Sequence, residues 1–450
     1  MLRLAMPVLL EQLLAIMVWF SDRLLVGHYL DTPHQAAITL MAYLLWLMYG
    51  LFSTVGIGAT AMVARFVGAE DHQAALKVTN QAFIIGAVMA AVITVAGALL
   101  IEPAVLFLQL EGEAASLAVT YFRYMLPVIP LIMIEAVGIA CLRGAGDMMA
   151  GLVIMAIVNL VNVAVSWTLV FGLGPMPALG WDGIAIGTMC GFIVGGVLVA
   201  WLMLRGRSGL RVRWRLLRPD ADLIRRLLRT GLPGGADLLS IIGCQLWFVS
   251  VINQLGNLSA AAHGVAICVE SLAFLPGAAF QTAAATMAGQ YLGANNHHKA
   301  GRSAWTACLV GGGIMVCVGV VIFTGADQLA PLFVRAEQAD VARLAAPLLR
   351  TVSLATPALA LTMILTGSLR GAGDTRWPLV FSLVGLLGIR IPWAYWLAFQ
   401  SIQIPGTEWV IAGWGLGVVG AWYAMVVDLH VRAVLVVYRI THGGWKRVKV

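Results

Sequence analysis

Seven ionisable side chains stand inside long apolar runs of this chain: Glu11, Asp22, Glu135, Asp237, Glu270, Arg390 and Asp428. A charge at the centre of a membrane-crossing helix costs roughly 2.5–3.5 kcal/mol on insertion scales. A purely structural bundle has little reason to keep so many. Coupled transport requires them, because an intramembrane carboxylate takes up and releases a proton or a hard cation.

One constellation has the make-up of a cation shell. Counted at ~1.5 Å per residue, Asp22 lies about 27 Å from the cytoplasmic start of its run, and Asn162 and Ser166 about 20 and 25 Å along theirs. Thr188 enters from the other side and lies about 10 Å in, so all four share one level of a ~30 Å core. Asn162 and Ser166 are also i,i+4 neighbours on one helix face. One carboxylate supplies charge, and the amide and hydroxyl oxygens complete a coordination shell for Na⁺ or tune a protonatable acid. Beyond that possible Na⁺, no metal site is expected. In the second half of the chain, Asp237 and Glu270 lie about 15 Å deep and Arg390 about 20 Å. Glu270 is expected to pair with Arg390, with Asp237 nearby.

The elements that carry these residues follow from composition. Of 450 residues, 61% are hydrophobic and 11% charged, against roughly 25% charged in soluble domains. Lipid must cover most of the surface. Twelve apolar runs fall near 4–29, 36–64, 79–101, 117–141, 149–172, 182–204, 227–255, 260–290, 304–325, 341–368, 377–400 and 413–438. Without β-alternation they are helices, which satisfy their own backbone in lipid. The expected fold is therefore all-α and polytopic. The first run is too long for a signal peptide and contains Glu11 and Asp22.

Formal net charge is +7, yet its placement excludes a nucleic-acid binder. Residues 205–229 hold nine arginines between runs six and seven, and Arg65, Lys77, Arg143, Lys299, Arg302, Arg370, Arg376, Arg439, Lys446, Arg447 and Lys449 fall on the same side. Opposite loops carry Arg335 and Arg343. The positive-inside rule puts both termini in the cytoplasm, in a plasma (inner) membrane. The six cysteines show no CxxC or Cys/His spacing, so neither a disulfide framework nor a zinc site is expected. No phosphate-binding loop motif is present, so ATP does not drive the protein directly.

The chain is internally duplicated. LRGAGD occurs at 142–147 and again at 369–374, an offset of 227; residues 61–75 align with 286–300 at 225. Pro7 and Glu11 match Pro233 and Asp237, and Arg123 and Pro130 match Arg350 and Pro357. Each copy has six helices, an even number, so both have the same orientation and a pseudo-twofold along the membrane normal is expected. The expected division is a lobe at 1–204, a cytoplasmic Arg-rich linker at 205–229, a second lobe at 230–440 and a basic tail at 441–450. The hexapeptide reads as a tight cytoplasmic turn.

In order, SDRLLVGHYL (21–30), ARFVGAEDHQAA (64–75), the two LRGAGD turns, NLVNVAVSWTLVFG (159–172), LPGGADLL (232–239), AAAHGVAICVESLAFLPGAAF (260–280) and GQYLGANN (289–296) make the chain resemble the multidrug and toxic compound extrusion (MATE) family. The flavour is closer to its DinF-like bacterial branch than to the NorM branch. The resemblance covers the whole chain and implies an antiporter. It would export amphipathic, cationic organic compounds in exchange for Na⁺ or H⁺, by alternating access of two lobes, as a monomer with no cofactor. Its partners are small-molecule substrate and membrane lipid, not nucleic acid. The resemblance also implies coupling at an acid of helix one with Asn and Thr on helices five and six, which match Asp22, Asn162 and Thr188. Ser166 stands where many relatives carry an acid or amide, and Arg23 follows Asp22. A lipid-linked oligosaccharide flippase would share the architecture but needs a basic cavity. A membrane-embedded enzyme would need a metal cluster or a nucleophile–base pair, and no catalytic residues are assigned.

Overall fold

The computed structural model describes residues 1–107, 110–334, 339–403 and 410–448. Among them, twelve helices are long and apolar enough to cross a membrane. They are α1 Leu2–Tyr29, α2 Thr32–Gly68, α3 His72–Phe107, α4 Gly112–Gly144, α5 Met148–Phe171 and α6 Trp181–Arg205. The second set is α7 Ala221–Gln254, α8 Asn257–Gly293, α9 His297–Thr324, α10 Ala339–Gly371, α11 Arg376–Ala398 and α12 Gly417–His442. A small antiparallel hairpin, Ser401–Gln403 with Val410–Ala412, joins α11 to α12. Several helices outrun their apolar stretches. The 37 residues of α2 and of α8 measure about 56 Å each, well beyond a ~30 Å core.

The chain divides into two compact units between Gly235 and Ala236. That boundary lies inside α7, not in the segment 205–229 expected as a linker. The reason is local. On α3, buried Asn80 donates to the carbonyl of Arg211 and accepts from the amide of Arg213, both at 2.9 Å. Its neighbour Gln81 donates to the carbonyls of Leu216 and Arg218 and accepts from the amide of Asp220. Two adjacent amides thus satisfy an irregular backbone that has no helix to serve it. The expected tail at 441–450 is likewise not free: α12 ends at His442, and Trp445 in the following turn is wholly buried. Arg335 and Lys449 of the charge pattern lie outside the described residues.

Helices two to six of the two units share several packings, while, among the described residues, the close packing of α1 on α5 has no counterpart for α7. In the first, α2 meets α3 and α4, α4 meets α6, and α5 meets α6; in the second, α8 meets α9 and α10, α10 meets α12, and α11 meets α12. The repeated hexapeptide folds identically in both. The amides of Ala145, Gly146 and Asp147 bond the carbonyls of Cys141, Arg143 and Leu142; those of Ala372, Gly373 and Asp374 bond Ser368, Arg370 and Leu369. Gly146 and Gly373 supply the left-handed φ of +92° and +83° that this turn needs.

Its polar residues do more than face water. Arg143 binds Glu11 of α1, and Arg370 binds Asp237 of α7, each at 2.6 Å. Asp147 binds Arg207 just past α6, and Asp374 binds Arg439 near the end of α12. The opposite ends of the helices repeat too: Arg123 pairs with Glu102 and Arg350 with Asp327. The hexapeptide is therefore an ionic clamp, built twice, that ties the fourth and fifth helices of each unit to the first and last.

The first glycine of each clamp sits against backbone. A Cβ on Gly144 would lie 2.9 Å from the carbonyl oxygen of Thr60, and one on Gly371 would overlap the carbonyl of Ala285 more severely. Gly371→Ala is expected to lower stability by more than the roughly 1–3 kcal/mol typical of overpacking, and Gly144→Ala by less than Gly371→Ala, in thermal melts of the detergent-solubilised protein. The two clamp aspartates, both outside the spans, should respond oppositely to pH. Burial pushes the Asp147 carboxyl up, but Arg207, Ser208 and the Ala150 amide outweigh it and hold it below its ordinary value. Burial of Asp374 outweighs Arg439 and holds that carboxyl above its ordinary value. The Asp147 contribution is thus present above the unfolded value and lost as pH falls; that of Asp374 is present at low pH and lost as pH rises. The melting-temperature gap between neutral pH and pH about 4 should shrink in Asp147→Asn and widen in Asp374→Asn.

Candidate functional site

In the first unit, three helices bring polar side chains to one point and a fourth completes it. Asp22 of α1 is buried, and its Oδ2 accepts from Thr188 Oγ1 of α6 at 3.1 Å. Thr188 in turn accepts from Asn162 Nδ2 of α5 at 3.2 Å and from the Tyr121 hydroxyl of α4 at 3.0 Å. Ser166 stands one turn beyond Asn162, wholly buried. Its hydroxyl occupies the space that a Cβ on Gly187 would take, so the glycine preceding Thr188 is what lets α5 and α6 close around the site. Gly183, Gly187, Gly191 and Gly195 recur every four residues on α6, the small-residue stripe that permits close helix approach in membranes. Arg23 does not neutralise its neighbour. It turns to Thr39 on α2 at 3.1 Å.

Among the described residues, three buried oxygens here have no hydrogen-bond partner: Asp22 Oδ1, Asn162 Oδ1 and Ser166 Oγ. Buried polar atoms are rarely left so. A carboxylate, an amide oxygen and a hydroxyl, all free, form a donor set suited to a hard monovalent cation, or to a proton on the carboxylate. Tyr121 went unremarked among the apolar residues of its span. The depth count applied to the other four reaches it as well, since it lies nine residues into α4 from Gly112, or about 14 Å.

The second unit departs from expectation. Arg390 does not pair with Glu270. Its Nε and Nη2 bind Asp428 Oδ2 of α12, both at 2.8 Å, while Arg432 binds both oxygens of the same carboxylate. Asp237 is bonded by Arg370, and its charge reaches Arg432 of this cluster. The expectation rests on depth alone, and Asp428, 14 residues from the end of α12, shares the depth of Arg390, 14 residues past the start of α11. Arg390 closes a π-helical turn, Leu386–Arg390. Gly385, just before it, leaves the room that Asp428 and Arg432 fill. Glu270 remains within electrostatic reach of Arg390. Nearby, Trp422 Nε1 donates to His263 Nδ1 at 3.2 Å, which makes this buried imidazole an acceptor and a structural member of the core.

The MatE family model matches residues 7–168 and 235–396, that is, most of both units. The chain belongs to the MATE family. Among its relatives, the probable multidrug resistance protein NorM of Thermotoga maritima is 26% identical over 99% of this chain and 93% of its own length. The probable NorM of Bradyrhizobium diazoefficiens is 28% identical over 97% and 92%. These relatives bear NorM names, whereas the motifs lean to the DinF-like branch. A solved MOP superfamily transporter from Pyrococcus furiosus Vc1 superposes with a TM-score of 0.88 at 22% identity, covering 98% of this chain and 95% of that one, which attests the two-lobed fold. MATE proteins are multi-pass membrane transporters, so the reading as a membrane-embedded enzyme falls away. The two MATE matches begin at equivalent points of the duplication, at Pro7 and near Pro233.

The ion-pair geometry of the MATE C-terminal unit yields a direct test. Asp428 is wholly buried between two arginines. Removing the shared partner of a buried pair costs about 3–5 kcal/mol. Asp428→Asn should therefore collapse folding yield and lower the melting temperature sharply, while Glu270→Gln, which breaks no ion pair, should leave both near wild type.

Proposed function

We propose that this MATE protein exports amphipathic, cationic organic compounds in exchange for Na⁺ or H⁺, with the coupling cation held at Asp22, Asn162, Ser166 and Thr188 and with Tyr121 setting the Thr188 hydroxyl. The observation that carries the reading is the buried carboxylate of Asp22, bonded through one oxygen to Thr188 and, among the described residues, without a partner at the other. A cation arriving there satisfies that oxygen. When it leaves, the unpaired charge makes the same site unfavourable, and that difference links its occupancy to a conformational equilibrium. Relatives named as multidrug resistance proteins support organic substrates, and the family favours export over the flippase reading. The nine arginines of 205–229 favour a cytoplasmic face for that segment and for both termini, with rocking of the two units as the means of alternating access.

The test uses proteoliposomes loaded with a fluorescent cationic dye and given a Na⁺ or a pH gradient, one at a time. Asp22→Asn should insert normally and lose gradient-driven efflux altogether. Tyr121→Phe removes one hydrogen bond, worth about 1 kcal/mol, and should weaken coupling-ion affinity about fivefold. Wild-type efflux in Asp22→Asn would relocate the coupling site.

A further inference from the structure

Trp214 is 89% exposed, the most exposed large apolar side chain among the described residues. It stands in RVRWRLLR, residues 211–218, between Arg213 and Arg215. An indole held out in water is unfavourable unless something covers it.

The backbone fixes which side chains turn outward. Gly206, Ser208 and Gly209 take left-handed φ of +83°, +55° and +79°, and the chain reverses there after α6. The returning stretch is extended, with Leu210 buried and Val212 packed on the core of the N-terminal unit. Alternation aims Arg211 and Arg213 away from that core, and both are exposed. The bonds from Asn80 and Gln81 of α3 hold the backbone on either side of Trp214.

The level of the segment is fixed as well. The Val212 amide donates to the carbonyl of Met203 at 3.1 Å, inside the last turn of α6. Trp201 and Leu204 beside Met203 are about half exposed, so apolar helix surface continues to this level. Arg205 folds back over the Trp201 ring, 4.0 Å from its centroid. On α3, exposed Lys77 lies one turn before Gln81. The exposed apolar stripe of Val88, Val92, Val95 and Leu99 begins about 10 Å beyond Gln81. Residues 211–218 thus lie where charged surface gives way to lipid-facing surface, the level at which tryptophan gathers in membrane proteins.

The protein does not answer the charge there. Of the five arginines from 207 to 218, Arg207 alone is ion-paired among the described residues, with Asp147. The nearby acids are engaged: Asp220 accepts from the amides of Asp222 and Leu223, and Asp222 pairs with Arg226.

We propose that residues 211–218 form a binding site for anionic phospholipid headgroups, with the Trp214 indole at the glycerol level and Arg211, Arg213, Arg215 and Arg218 on the phosphates. Binding needs neither substrate nor coupling ion; only the choice of the cytoplasmic leaflet rests on the orientation proposed for the exporter. The intact protein is placed in nanodiscs of phosphatidylcholine, alone or mixed with phosphatidylglycerol. Trp214 emission, taken as wild type minus Trp214→Phe, should be quenched by brominated acyl chains and shielded from aqueous acrylamide. In mixed lipid–detergent micelles, native mass spectrometry should find phosphatidylglycerol retained over phosphatidylcholine. That preference should fall about fivefold for each of the four arginines changed to Gln. These exposed substitutions break no ion pair, and gel filtration checks that the variants stay folded. Arg343→Gln in the C-terminal unit should leave the preference unchanged; an equal loss there would mean net charge rather than a site, and would overturn the proposal. Trp214 emission open to acrylamide in both kinds of nanodisc overturns it too. Shielding by added polyglutamate but not by lipid would assign an acidic polypeptide partner and overturn it equally. Termini labelled from outside the cell would reverse the leaflet, and efflux surviving in Asp22→Asn would remove the exporter's coupling site; neither alters the lipid readings.

Discussion

A charge inside the hydrocarbon region must be answered by another, and each unit is organised by how it meets that demand. The bond from Arg143 to Glu11, repeated as Arg370 to Asp237, joins the C-terminal end of the fourth helix to the first helix of the same unit. Neither acid would be tolerated alone. Once the pair is made, the positions of the turn, of the glycine packed on the second helix and of the aspartate that reaches the last helix all follow. Duplication has kept the geometry of the bond while allowing Glu to become Asp. A shorter acid at one site is matched by a closer approach of Gly371 to its neighbouring backbone.

Against this shared frame the units have diverged in charge. The C-terminal unit holds Asp428 between Arg390 and Arg432 and keeps Glu270 within electrostatic reach of Arg390, whereas among the described residues no basic side chain is ion-paired with Asp22 or Glu135 of the N-terminal unit. A buried acid without a counter-charge is unfavourable when ionised, and its ionisation is therefore easily tied to access from one side or the other. That asymmetry in buried charge distinguishes two halves whose helices share several packings.

Much of this was legible in the residues. Twelve apolar runs, the duplication and the level shared by Asp22, Asn162, Ser166 and Thr188 needed only length, spacing and a rise per residue. Those quantities survive because long helices in lipid are regular. What failed was the choice of partner. Depth alone does not choose between two acids at the same height, and Arg390 went to Asp428 rather than to Glu270. The π turn at Leu386–Arg390 leaves no mark in composition. The segment 205–229 looked like a tether because its arginines are conspicuous, while the two amides that hold it, Asn80 and Gln81, are ordinary residues far away in the chain. Tyr121 was hidden for a related reason: one hydroxyl in an apolar helix has no pattern of its own.

The docking of residues 206–220 onto α3 has a mechanical consequence. With that segment fastened to the N-terminal unit, the chain passes into the C-terminal unit within a continuous helix, at the sequence Gly231-Leu232-Pro233-Gly234-Gly235. A loose cord transmits neither bending nor twist; a helix transmits both. Pro233 offers no amide to the carbonyl of Arg229, so the helix lacks one backbone bond there. The missing bond falls in the rod that joins the two units, four residues before Asp237, the acid that anchors the second ionic clamp.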